Sequence, residues 1–146
     1  MPNRERSATV VPNGQFGTLR FRRKVTNNTP DPVTALRIRV VDITTLQSPT
    51  GPAPGKAKPC VAPCGDLRVL SSSDEAAVAT STGPQPTQGT TLDLAGFQPL
   101  GGGYNSSLTV NLPSPIPPGG SVNVNILLGV QKTGNVRFFF FVEALP

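Results

Sequence analysis

Histidine is absent from the 146-residue chain. This absence removes the commonest general base and the commonest metal ligand among protein side chains. A serine nucleophile would need another base, and neither a G-x-S-x-G nor an S-x-x-K segment occurs. The eight carboxylates are scattered, so a catalytic carboxylate pair is disfavoured. We therefore expect no enzyme activity, no metal and no cofactor.

Tryptophan is also absent, and Tyr104 is the only tyrosine. Sugar-binding sandwiches usually stack sugar rings on such side chains, so a carbohydrate-binding module is disfavoured. Phe97 and Tyr104, which lie beside glycines, leave a glycan ligand as an alternative. Charged residues make up only 14% of the chain, and the basic ones form no long run with interleaved aromatics. Nucleic acid is therefore not expected as a partner. No apolar stretch is long enough to span a membrane, so membrane insertion is not expected either.

Proline and glycine are abundant, with 17 and 15 residues respectively. Apolar residues recur at strand spacing between turns, as in Thr18 to Thr26 and Val33 to Ile43, whereas Gly83 to Gly89 resembles a turn. Seven to nine short strands are predicted along the chain. The sequence therefore predicts one all-β domain over residues 1–146, built as an antiparallel, immunoglobulin-like sandwich.

The C-terminal segment shows the strongest alternation. Two apolar strands flank Lys132–Gly134, which fits a three-residue hairpin loop with glycine in its last position. The resulting register sets Leu128 opposite Phe138 and Ile126 opposite Phe140, with every apolar pair on one face. We expect this hairpin to lie in the core of a sheet.

The same segment is apolar on both faces at its centre. In the predicted register Leu127 stands opposite Phe139, and with Phe141 it forms one exposed apolar patch. A solvated sheet face normally carries polar residues, so such a patch indicates a contact site, unless another part of the chain covers it. Self-association is expected through this patch or through an extended N-terminal arm, residues 1–15. The arm contains a short edge strand of four residues, Ala8, Thr9, Val10 and Val11.

A proline- and glycine-rich loop is predicted over residues 47–66, and it contains Cys60 and Cys64. Two thiols without histidine cannot complete a zinc site in one chain, and the spacing is not that of a C-x-x-C redox motif. A local disulfide is favoured over free thiols. It would contribute only about 2 kcal/mol, so it would order the loop without holding the fold.

Two segments carry a resemblance to a known family. RKVTNNTPDPVTALRIRVVDITTL and LPSPIPPGGSVNVNILLGV resemble the strand-turn-strand opening and the entry to the penultimate strand of immunoglobulin-like repeat modules in bacterial cell-surface proteins. The resemblance covers residues 18–45 and 112–145. It implies a sandwich that serves as a spacer, adhesive or assembly module, and it carries over no catalytic residues.

The function expected from these observations is that of a non-catalytic structural or assembly module, extracellular or on a bacterial surface. Its partners would be other copies of itself or neighbouring surface domains. One alternative is a ligand- or glycan-binding adhesive module that uses the 47–66 loop. A second is a capsid or decoration protein of a virus or phage particle.

Overall fold

The computed structural model describes residues 3–45, 62–94 and 101–145. Within these ranges the chain forms ten strands and no helix, which confirms the all-β prediction, although seven to nine strands were expected. The strands are β1 (Arg4–Ser7), β2 (Thr18–Thr26), β3 (Ala35–Ile43), β4 (Asp66–Leu70), β5 (Glu75–Thr80), β6 (Gly83–Thr87), β7 (Thr90–Leu94), β8 (Ser107–Val110), β9 (Ser121–Lys132) and β10 (Phe138–Leu145).

Two four-stranded antiparallel sheets enclose one apolar core. The first has the order β1-β2-β9-β4 and the second β10-β3-β8-β7, while β5 and β6 pair in a separate two-stranded sheet. Ile126 and Leu128 of the first sheet join Ile38 and Leu108 of the second in one buried cluster. This arrangement is consistent with a β-sandwich.

Strand β9 lies at the centre of the first sheet. Its apolar residues Val124, Ile126 and Leu128 are at most 1% exposed and alternate with outward residues. Leu128 lies between Leu19 of β2 and Val69 of β4, so apolar cross-strand pairs stabilise the buried face on both sides.

The predicted hairpin between β9 and β10 is wrong. The two strands separate after Lys132 and enter different sheets. β10 pairs with β3 instead, through Phe138–Ile43 and Phe140–Val40. Between the strands, the Asn135 N–H donates to the Pro63 carbonyl at 2.7 Å, so the connection is held against the segment that leads into β4. The alternation identified the apolar face of each strand but not the strand that lies beside it.

The N-terminal arm folds back onto its own sheet, and its strand lies earlier than predicted. Arg4–Ser7 pairs antiparallel with β2, whereas Ala8 to Val11 lie outside the strands and Val10 is 68% exposed. A turn then closes between Val11 and Gly14, and its tip packs directly on Gly129 of β9. The polar residues of β1 have no apolar face that would indicate a strand, yet a sheet edge tolerates charged side chains well.

The turn predicted over Gly83 to Gly89 is mostly the strand β6. Pro84 and Pro86 are two residues apart, so the backbone positions that lack an N–H fall on one edge of the strand. Proline is compatible with such an edge, and β6 pairs with β5 along the other one.

Candidate functional site

Two phenylalanines of β10 lie on the outer face of the second sheet. Phe139 is 56% exposed and Phe141 62% exposed. Phe138 and Phe140 are partly buried and pack against the core, with ring centroids 5.4 Å apart. The predicted division of these four side chains between the two faces is therefore confirmed. β10 is also an edge strand, so the exposed pair lies where another strand could be added.

Leu127 does not belong to this surface. It lies on β9 in the first sheet, between Arg20 of β2 and Leu70 of β4. Because the two sheets pack face to face, outward side chains of β9 and β10 point to opposite sides of the sandwich. The prediction of one contiguous patch of Leu127, Phe139 and Phe141 is wrong, because it depended on the hairpin register.

Ion pairs border the two exposed phenylalanines. Arg37 and Arg39 both bind Glu143, with nitrogen–oxygen distances of 2.5 and 2.7 Å, and Arg137 binds Asp42 at 2.6 Å. The hydrogen bonds from Arg39 and then Arg37 hold the pKa of Glu143 below its ordinary value. Apolar rings inside a polar border are typical of a protein–protein contact surface.

A polar groove lies on the first sheet, between the β5–β6 hairpin and the outward side chains of β2 and β9. The Arg22 guanidinium donates to Glu75 at 3.1 Å and to Glu5 at 2.9 Å. Burial lowers the pKa of Arg22, but the bonds to Glu75 and Glu5 outweigh it, so the pKa is raised. The Nη1 atom of Arg22 is buried and has no hydrogen-bond partner among the described residues. The Arg22 guanidinium is therefore held in place by two carboxylates in the wall of the groove.

The structure also contains a buried ion pair that the sequence analysis missed. Arg68 lies on the outward side of β4, opposite Gly129, yet its side chain is 0% exposed. Its Nε donates to Asp66 at 2.9 Å, and its Nη1 donates to the Gly101 carbonyl at 3.2 Å. The sequence did contain a signal for this ion pair. Asp66 and Arg68 are two residues apart on one strand, so their side chains lie on the same face. The role of this pair is structural.

Several predicted site residues lie outside the described ranges. Cys60 and most of the 47–66 loop are among them, so the disulfide between Cys60 and Cys64 stays a prediction. Phe97 also lies outside, and Tyr104 is partly buried against the core. Within the described ranges there is no group of three or more residues that could hold a metal ion. That part of the chain also has no helix long and apolar enough to cross a membrane.

The sandwich alone does not identify a family, since many unrelated proteins share this architecture. The resemblance to immunoglobulin-like surface modules stays a prediction. No protein-family model matches the chain, and the searches of curated proteins and of solved structures found no significant match.

Proposed function

We propose that this domain is a non-catalytic structural module that associates with copies of itself in an extracellular or cell-surface structure. The observation that carries the proposal is the exposure of Phe139 and Phe141 on β10, which is an edge strand among the described residues. Exposed aromatic pairs of this kind usually mark contact sites. The lack of histidine in the chain supports the absence of catalysis.

The two rings alone are too small an interface. Full burial of a phenylalanine side chain contributes about 1.5–3 kcal/mol, so the pair contributes roughly 3–6 kcal/mol. Association itself costs on the order of 4–15 kcal/mol, because the two molecules lose translational and rotational freedom. Further contacts are therefore required. Strand addition can supply them at the edge of β10 that no described strand covers.

The sequence of β10 is self-complementary for this purpose. An antiparallel pairing of two β10 strands centred on Phe140 sets Phe139 of one copy opposite Phe141 of the other. The same register extends to Arg137 opposite Glu143, which matches opposite charges at both ends. The strand itself contains neither lysine nor proline, the residues that commonly block such edges, although it has a bulge between Phe139 and Phe140. These features favour a second copy as the occupant.

A double substitution tests the proposal. Phe139→Ser with Phe141→Ser should abolish oligomer formation in sedimentation velocity while the domain keeps its thermal midpoint, because both side chains are exposed. The matched control is Val10→Ser with Phe16→Ser, which removes apolar side chains that are 68% and 46% exposed on the N-terminal turn. The control should assemble like the wild type. A wild-type protein that stays monomeric at high concentration would contradict the proposal.

Hydrogen exchange gives a test without substitutions. Assembly through β10 should slow exchange of its edge amides as the protein concentration rises. β1 is an edge strand of the other sheet and serves as an internal control, since its exchange should not change. Equal protection of both strands would point to a different interface.

A further inference from the structure

One side of the sandwich is open between the two sheets. Leu19 of β2 and Val136, which precedes β10, line one cavity of about 140 Å³ there. Val25 of β2 and Val142 of β10 line a second cavity of about 230 Å³. β2 and β10 therefore lie across from each other and run in the same direction, with a cavity at each end. We call the space along their outer side the β2–β10 cleft.

Two arginines of β1 point into this cleft. Arg4 lies opposite Phe21 of β2, which packs against the core. Arg6 lies opposite Leu19 and lines the first cavity beside it. Directly opposed residues share a sheet face, so both arginines are on the inner face of the first sheet. Both are exposed, and neither has a carboxylate partner among the described residues, so this end of the cleft is positively charged.

The other end of the cleft is apolar. Val142 has an inward position on β10, yet it is 42% exposed. It lines the second cavity together with Leu36 and Ile116, which belong to the buried core. Inward apolar side chains of a sandwich are ordinarily covered from both sides. This end of the cleft therefore has room for a further apolar side chain.

Among the described strands, the second sheet has none that lies over β1. Because β10 lies over β2, a strand added to the outer edge of β10 would lie over β1. The backbone of β10 would supply its hydrogen bonds. The inward side chains of this added strand would meet Arg6 and Arg4 at one end and Val142 at the other. We propose that the cleft binds an extended acidic peptide of a partner protein, with its carboxylates at the two arginines and its apolar side chains at Val142.

The charge of the cleft favours a partner other than a second β10 strand. The inward residues of β10 include Phe138 and Phe140, so a second copy would bring no carboxylate to the arginines. Packed sheets lie about 10 Å apart, a distance that an arginine and a glutamate side chain span together. Such a contact forms a charge-assisted hydrogen bond. Both occupants need the edge of β10, so a bound peptide would compete with the proposed self-association.

The octapeptide Thr-Val-Thr-Val-Thr-Glu-Thr-Glu tests the proposal by fluorescence anisotropy. Antiparallel pairing with β10 places its valines near Val142 and its glutamates near the arginines. Arg6→Gln should weaken binding about ten-fold, as expected for one hydrogen bond to a charged group. Lys24→Gln is the matched control, because it removes an exposed charge from the outer face of β2. It should leave binding unchanged.

Hydrogen exchange checks the mode of binding. The bound octapeptide should slow exchange of the edge amides of β10. It should not affect β7, which is the other edge strand of the same sheet.

Four results would overturn the proposal. They are no binding of the octapeptide at millimolar concentration, equal binding of Thr-Val-Thr-Val-Thr-Lys-Thr-Lys, equal losses in Arg6→Gln and Lys24→Gln, and unchanged exchange of β10 in the bound state. Tighter binding of decanoate would identify a site for an acyl chain and would overturn it as well.

The test does not depend on self-association. Phe139 and Phe141 point outward, so the octapeptide should also bind the Phe139→Ser, Phe141→Ser variant. Binding to a wild type that forms no oligomer would contradict only the proposed function. In a wild type that does assemble, saturating octapeptide should dissociate the oligomer. An oligomer that binds the octapeptide and stays intact would overturn the proposed position beside β10.

Discussion

Replacing Asp66 by alanine removes the carboxylate that binds Arg68 inside the domain. The two side chains are 3% and 0% exposed, so Arg68 cannot recover the lost interaction from water. Within the described part of the chain, the substitution leaves a buried cation with one remaining hydrogen bond, to the Gly101 carbonyl. Breaking a buried ion pair in this way costs about 3–5 kcal/mol. For a domain of this size the thermal midpoint should fall by roughly 10–15 °C.

Urea unfolding followed by circular dichroism measures this loss. Glu5→Gln is the control, because it breaks an ion pair whose carboxylate is 52% exposed and should cost less than about 1 kcal/mol. Asp66→Leu combined with Arg68→Met removes both charges and should restore most of the stability. If Asp66→Ala costs no more than Glu5→Gln, Arg68 has access to solvent and the reasoning is refuted.

Three other substitutions have defined outcomes. Gly134→Ala should destabilise the domain by about 2 kcal/mol, because φ is 148° and the added Cβ would lie 2.6 Å from the backbone of residues 64–65; an unchanged urea midpoint would argue against that contact. Gly129→Ala should expose the N-terminal turn to proteases, because its Cβ would overlap the Asn13 carbonyl; unchanged proteolysis would mean that the turn is not packed there. The depressed pKa of Glu143 gives stability that is present above its unfolded value, near 4.5, and is lost as the pH falls through the folded value. Glu143→Gln should therefore make the free energy of unfolding less dependent on pH below 4.5. An unchanged pH dependence in this range would exclude a contribution from Glu143.

The sequence predicted local features of the fold well. The strand Thr18–Thr26 has the bounds expected from its alternation, and the inward and outward faces at Phe138 to Phe141 are correct. Alternation determines these features because one buried face requires apolar residues at every second position. It does not determine the neighbouring strand, since any strand with a matching apolar face can pair there. The β9–β10 hairpin failed for this reason, and the patch with Leu127 failed with it.

The two candidate sites could be predicted only in part. Phe139 and Phe141 were recognisable because apolar residues are unexpected on an outer face. The groove was not, since Pro84 and Pro86 suggested a turn where the structure has a strand. Arg68 likewise lies at an outward position, where a solvated side chain is the ordinary expectation. Its hydrogen bond to the Gly101 carbonyl joins two residues that are distant in sequence.

The central position of β9 has a consequence for the order in which the domain folds. Thr18 of β2 pairs with Gly129, and Leu70 of β4 pairs with Leu127, so two early strands share one late partner. During synthesis β2 and β4 leave the ribosome well before that partner is made, at about 5–20 residues per second. Pairing across such long sequence separations is slow, because the chain loses the entropy of loop closure before the stabilising contacts form. Among the described strands, the N-terminal half can pair β1 with β2 but cannot complete the first sheet. Nascent chains would therefore expose the apolar residues of β2 and β4 until residue 132 is available.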